Sequence, residues 1–225
     1  MRRVLLLFHS LIGKKVLMAV TGAVLLGFLA AHMYGNLKAF QGPEHFNAYA
    51  EGLRTLGAPL FGRGHLLWTA RVILLLALAG HLWAAWAVTR ASWAARPVDY
   101  KRLEQVETTL AARTMRWGGI IIFTYAVYHL LDLTFGRVNP DFVPGNVYHN
   151  LIASFQRPFV AGLYIAAMLV LSLHLYHGIL SGFQTLGLNH PRYNPLRRAV
   201  ALGFTAVVIP GFVAVPVAVL LGVLR

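Results

Sequence analysis

Residues 65–90 read HLLWTARVILLLALAGHLWAAWAVTR. Arg71 is the only charge before the terminal Arg90, and no polar face recurs at helical spacing. As a helix rising 1.5 Å per residue the stretch covers about 39 Å. That exceeds the ~30 Å hydrocarbon core, which about 20 apolar residues cross. The stretch therefore reads as a membrane span, with Arg71 in its first turns and His81 deep inside it. An ionisable group at that depth is costly and is a functional candidate by default.

Working outward, comparable apolar stretches occur at roughly 15–36, 115–136, 159–186 and 197–223. The expected fold is all-α, an integral membrane bundle of five transmembrane helices, with residues 1–225 forming one membrane-anchor unit. Composition agrees: 58% of residues are apolar and 12% charged, against about a quarter charged in soluble domains, and mean hydropathy is +0.62. The first stretch is too long and too late for a secretory signal. Residues 2–13 read as a short interfacial helix. Pro210 and Pro216 in the last span predict a kink, which membrane helices tolerate.

The chain carries 20 Lys and Arg against 7 Asp and Glu, a net charge of +13. In a membrane protein such a surplus belongs to loops and headgroups, or to an acidic partner, rather than to nucleic acid. Arg2, Arg3, Lys14 and Lys15 fall on one side. So do Arg90, Arg96, Lys101, Arg102, Arg113 and Arg116 in the second connection, and Arg192, Arg197 and Arg198 in the fourth. The other side holds only Lys38, Arg54, Arg63, Arg137, Arg157 and Arg225. Basic connections stay inside, so the N-terminus is expected in the cytoplasm and the C-terminus outside, in the cytoplasmic (inner) membrane of a cell. The external connections, 37–64 and 137–158, predict interfacial helices near Phe46–Leu53 and Val147–Phe155. Tyr100–Leu110, on the cytoplasmic side, also reads as helical. A basic cytoplasmic face without a soluble domain of its own invites a docked partner, although topology signalling alone accounts for the same charges.

Cysteine is absent and histidine occurs 10 times, which excludes disulfides, iron–sulfur clusters and covalently attached c-type haem. Spans one to four each carry histidine: His32, His81, His129, and the pair His174 and His177. One membrane histidine is commonly a structural hydrogen-bonder; one in each of four successive spans points to ligands. Two imidazoles facing across a bundle would hold a low-spin haem, and four would hold two. Counted from the cytoplasmic ends, His32 lies about 25 Å up and His129 roughly 20 Å, whereas His81 and His177 lie about 13 Å up and His174 about 18 Å. The expected pairs are an outer one, His32 with His129, and an inner one, His81 with His174 or His177. Gly22, Gly27, Gly80, Gly178 and Gly182 leave room beside them, as small residues also do for plain helix packing. His9, His45, His65, His149 and His190 fall in loops or at interfaces.

Three stretches carry a resemblance. The first is Ser10-Leu-Ile-Gly13-Lys14-Lys15 leading to Met18-Ala-Val-Thr21-Gly22 and His32-Met-Tyr-Gly35-Asn36-Leu37. The second is Ala112-Arg113-Thr114-Met115-Arg116-Trp117-Gly118-Gly119 with Tyr128-His129-Leu-Leu-Asp132-Leu-Thr134. The third is His174-Leu-Tyr-His177-Gly178 with Ser181-Gly-Phe-Gln184-Thr-Leu-Gly187-Leu-Asn189-His190-Pro191. Together they resemble the succinate dehydrogenase/fumarate reductase cytochrome b membrane-anchor subunit of the single-anchor, five-span, di-haem type. The resemblance runs from about residue 10 to 198.

It implies two b haems, a flavoprotein subunit and an iron–sulfur subunit docked on the cytoplasmic face, and electron transfer between succinate and a membrane quinone such as menaquinone. It places the chain in the respiratory chain and the tricarboxylic acid cycle, with no dicarboxylate-converting centre of its own. It carries the ligand roles onto His32, His81, His129 and, through a His-x-x-x-Gly pattern met by His174 and Gly178, His174; His177 is the alternative. Arg157 near the outer haem, and Arg113 or Arg116 near the inner, are candidate propionate partners by charge and level. Electrons led across the membrane would need a quinone site at the external ends of the first three spans, with a proton carrier. The candidates are Asp132, Glu44 and Glu51, with Tyr34 or Tyr128 as hydrogen-bond donors; Asp132 could equally pair with Arg137 or cap the helix end. Two other functions stand beside this one: a haem-free structural anchor, and the di-haem cytochrome b of another respiratory dehydrogenase, whose anchors lack the Arg113-Thr114-Met115 and Gln184-Thr185-Leu186-Gly187 stretches.

Overall fold

A computed structural model describes residues 10–95 and 110–225, with the backbone alone at 110–113. Among the described residues there are seven α-helices, one 3₁₀ turn and no strand. Helix α1 spans Leu11–Leu37 and runs into the 3₁₀ turn Lys38–Gln41. Then follow α2 (Pro43–Thr55), α3 (His65–Ala94), α4 (Leu110–Leu133), α5 (Val147–Phe155), α6 (Pro158–Thr185) and α7 (Asn194–Leu220). The expectation for residues 2–13 falls mostly outside the described residues, and Leu11 already belongs to α1. The helix expected over Tyr100–Leu110 also lies outside them, except for Leu110 itself.

Local chemistry sets the helix ends. The Ser10 side chain accepts from the Gly13 amide at 3.0 Å and caps α1. Gly42 takes a positive φ of 91°, which reverses the chain and lets Pro43 open α2. The Asn146 side chain accepts from the His149 amide at 3.1 Å and caps α5, and Pro158 opens α6. Helix α7 continues through Pro210 and Pro216.

Four of the helices, α1 with its 3₁₀ extension, α3, α6 and α7, are long and apolar enough to cross a membrane. Helix α4 has 24 residues, enough for about 36 Å, so its composition rather than its length sets it apart. Arg116, Gly118, Gly119, His129 and Asp132 dilute its apolar run.

The bundle is layered around α1 and α6. Helix α1 packs against α3, α6 and α7, while α6 packs against α4, α1 and α7. In lipid no hydrophobic gain drives helices together, so close fit must do it. A Cβ added at Gly211 of α7 would sit 2.6 Å from Met33 Sδ of α1, so any larger residue there would make the Met33 side chain move. Gly80 of α3 brings Thr21 within van der Waals reach, and Gly118 of α4 does the same for Val170 of α6. Many large apolar side chains on the outside, among them Leu76, Trp86 and Leu169, are exposed where lipid would be.

One end of the bundle is capped. Helices α2 and α5 lie together over it, joined by Asn47, whose amide donates to Asn146 Oδ1 at 3.1 Å and whose oxygen accepts from the Tyr148 amide at 3.0 Å. The loop before α5 is lashed down by Asn150, which accepts from the Val143 amide and donates to the Val143 carbonyl, at 2.7 and 2.9 Å. At the opposite end Arg116 stacks over Trp93, 5.5 Å from the ring centre, joining the start of α4 to the end of α3. Lys14, Lys15 and Arg90 belong to this basic end.

Candidate functional site

The intramembrane histidines meet in two pairs. His32 of α1 faces His129 of α4, ring centres 5.7 Å apart and planes nearly perpendicular. His81 of α3 faces His174 of α6, centres 6.4 Å apart at 60°. The first pair lies toward the cap end and the second toward the basic end. Neither helix pair, α1 with α4 or α3 with α6, is among those packed closely on each other. The imidazoles therefore reach toward one another across gaps in the bundle rather than along tight interfaces.

The surroundings of the pairs differ. At the outer pair Phe28 stacks on His32 with centres 5.1 Å apart, and Phe212 stands 5.7 Å from it. Tyr125 and Tyr164 flank His129 at 6.0 and 5.8 Å. At the inner pair His81 Nδ1 lies 3.1 Å from the Met18 carbonyl and 3.3 Å from Thr21 Oγ1. A carbonyl only accepts, so Nδ1 carries the proton and the lone pair of neutral His81 is on Nε2. Donating one ring nitrogen to a carbonyl is how metal-ligating histidines are commonly held. Gly22 adjoins the same ring, since a Cβ there would stand 3.4 Å from His81 Cε1. An apolar cleft of about 160 Å³ opens beside His174 between α4 and α6, lined by Trp117, Gly118, Ile121, Val170 and Leu173.

The spacing within each pair is that of two imidazoles sharing one metal ion. Two metal–nitrogen bonds of about 2 Å, with roughly 1 Å from nitrogen to ring centre on each side, place facing imidazole centres ~6 Å apart. Among the described residues no three His, Asp or Glu side chains group to hold a bare metal ion. A two-histidine pair suits a metal whose remaining positions are already filled, as porphyrin fills those of haem iron. His129 Nδ1 and His174 Nδ1 are buried without a hydrogen-bond partner, so both rings retain unused polar capacity.

Depth along the helix left His174 and His177 open; rotation about it separates them. His177 Nε2 is 3.0 Å from Ser181 Oγ on its own helix, while His174 faces His81. Of the loop histidines, His149 bonds the Asp141 carbonyl at 2.9 Å and His190 accepts from the Arg192 amide at 3.2 Å; His9 lies outside the described residues.

The quinone candidates do not converge. Asp132 has no exposed surface. Its Oδ2 accepts from the Ser154 and Tyr164 hydroxyls, the latter at 2.8 Å, and Oδ1 accepts from Arg157 Nη2 at 2.9 Å. The pairing with Arg137 is thus corrected to Arg157: the last turn of α4 abuts α5 and the start of α6, where Arg157 is the capping position, and Arg137 lies beyond in the loop. A buried carboxylate costs several kcal/mol unless paired and hydrogen-bonded, and these three donors meet that need. Glu51 is held by Arg63 and Arg54 at 2.6 and 3.3 Å. Glu44 stands exposed in the first turn of α2. Tyr34 is exposed beneath the Lys38 ammonium, 5.0 Å from the ring centre. Tyr128 alone approaches the Asp132 group, 6.2 Å from Tyr164.

Among the candidate propionate partners, Arg157 donates to Asp132 and to the Val138 carbonyl at 2.9 Å, leaving Nε buried and unpartnered. Arg116 is stacked on Trp93, and the Arg113 side chain lies outside the described residues. Sequence reasoning missed Ser154, Tyr164 and Tyr125, since nothing in their spacing marks them. No family model, curated protein or solved structure matches this chain.

Proposed function

We propose that the chain is the membrane cytochrome b subunit of a succinate:quinone oxidoreductase of the inner membrane, crossing it five times with the basic end in the cytoplasm. His32 and His129 would hold an outer b haem, and His81 and His174 an inner one. Bound there, the haems supply one-electron transfer between the two membrane faces. The protein's own part is to hold four neutral imidazoles in fixed pairs and to exclude water with apolar walls. The Met18 carbonyl keeps Nε2 of His81 free for a metal. The basic end, with Lys14, Lys15, Arg90 and Arg116, offers a docking face for a flavoprotein and an iron–sulfur subunit. A quinone, in this reading menaquinone, would exchange electrons at the cap end.

The observation that carries the reading is the meeting of four histidines from four helices as two pairs at two levels. Resemblance of the motifs around His32, His129 and His174 to the succinate dehydrogenase anchor supplies the partners and the substrate. The test is a reduced-minus-oxidised spectrum and a haem assay of the purified complex. Two b haems per chain are expected, one of them lost in His32→Ala and in His129→Ala. A chain without haem, or one keeping two haems in His32→Ala, would overturn the assignment.

A further inference from the structure

The two histidine pairs are not electrostatically equivalent. One helical turn past His129, Asp132 is wholly buried, while its partner Arg157 keeps 28% of its side chain exposed. Solvent screens an exposed charge more than an enclosed one, so the carboxylate is felt at His129 more strongly than the guanidinium. Tyr164 connects the two sites: its hydroxyl donates to Asp132 at 2.8 Å and its ring stands 5.8 Å from the His129 ring. Ser154 of α5 donates to the same oxygen as Tyr164. Among the described residues no carboxylate is bonded at the inner pair; around His81 the partners are the Met18 carbonyl and the Thr21 hydroxyl.

We infer that Asp132, balanced by Arg157 and gripped by Ser154 and Tyr164, is a positioning residue that sets the charge at the outer histidine pair, rather than a proton carrier for a quinone. The inference rests on the haem reading above. Two consequences follow from the geometry. The network ties the last turn of α4 to α5 and α6, fixing the rotation that points His129 at His32. Its residual negative field favours the oxidised, more positive form of an iron bound there, which lowers the midpoint potential of the outer site and leaves the inner one alone. Burial and hydrogen bonding around a haem are established levers on its potential.

The experiment is an optical redox titration of the purified complex, with the outer component identified as the one missing from His32→Ala. Asp132→Asn removes the negative charge and should shift the outer midpoint upward; Arg157→Gln removes the compensating positive charge and should shift it downward. The inner midpoint should stay in place in both, and Arg157→Lys should restore the wild-type value. A purely structural role would move both variants in the same direction or broaden both components, and that result overturns the inference. So does an unmoved outer midpoint in variants with full haem content. If Asp132→Asn fails to assemble, the contrast between Arg157→Gln and Arg157→Lys decides alone. Absence of haem from the wild-type complex would sink the haem reading itself, a result distinct from any of these.

Discussion

A single helical turn separates His174 from His177, and counting residues along α6 places both near the level of His81. Side-chain direction decides between them, because rotation about a helix changes by about 100° per residue. His174 faces His81 across the gap between α3 and α6, whereas His177 is tied to Ser181 at 3.0 Å. His174→Ala should therefore lose the inner haem component from the difference spectrum while His177→Ala keeps both; the reverse result would exchange the two roles. The same limit explains Asp132. That it lay one turn beyond His129 was legible in the sequence, but its partner was not, because Arg137 and Arg157 both follow it and the deciding donors, Ser154 and Tyr164, arrive from other helices. A polar network assembled from three elements leaves no periodic trace in any one of them.

Hydrophobic runs marked the long helices well, because lipid imposes on each span a demand that the segment must meet alone. Helix α4 was the hardest to classify by composition, since the residues that give it chemical interest, Arg116, His129 and Asp132, are those that lower its apolarity. How the helices sit against each other was much less legible, for it depends on small residues whose meaning appears only in contact. Gly211 is the clearest case. Its hydrogen leaves room for Met33, and a Cβ in its place would lie 2.6 Å from Sδ and 2.7 Å from Cγ. Gly211→Val should force α7 away from α1 and destabilise the bundle by about 1–3 kcal/mol, the range for overpacked cores. Thermal unfolding in detergent measures this, and Met33→Ala in the same chain should recover much of the loss. A Gly211→Val protein as stable as the parent would mean that α1 and α7 do not pack as described.

Over the described residues, acidic and basic side chains separate between the two ends of the bundle; Asp99, Glu104 and Glu107 lie outside those residues. Glu44, Glu51, Asp132 and Asp141 all lie at the cap end, where Arg54, Arg63 and Arg157 are taken up in ion pairs. Among the described residues Lys14, Lys15, Arg90, Arg116, Arg192, Arg197 and Arg198 at the other end form no ion pair with a carboxylate. Retention of Lys and Arg on the cytoplasmic side would orient this end inward. The orientation and the crossing by α4 stand or fall together. Between Lys14 and Arg192 the chain passes through α1, α3, α4 and α6. If all four cross, the two residues share a side; if α4 does not, they are on opposite sides. The chain has no cysteine, so single replacements can be labelled without background. A membrane-impermeant maleimide added outside intact cells should label Glu44→Cys and Asp141→Cys. Lys14→Cys and Arg192→Cys should react only once the membrane is opened. Labelling of Arg192→Cys from outside together with Glu44→Cys would remove α4 from the membrane. It would also place the His129 ring away from lipid depth, and with it the outer histidine pair on which the proposed two-haem arrangement rests.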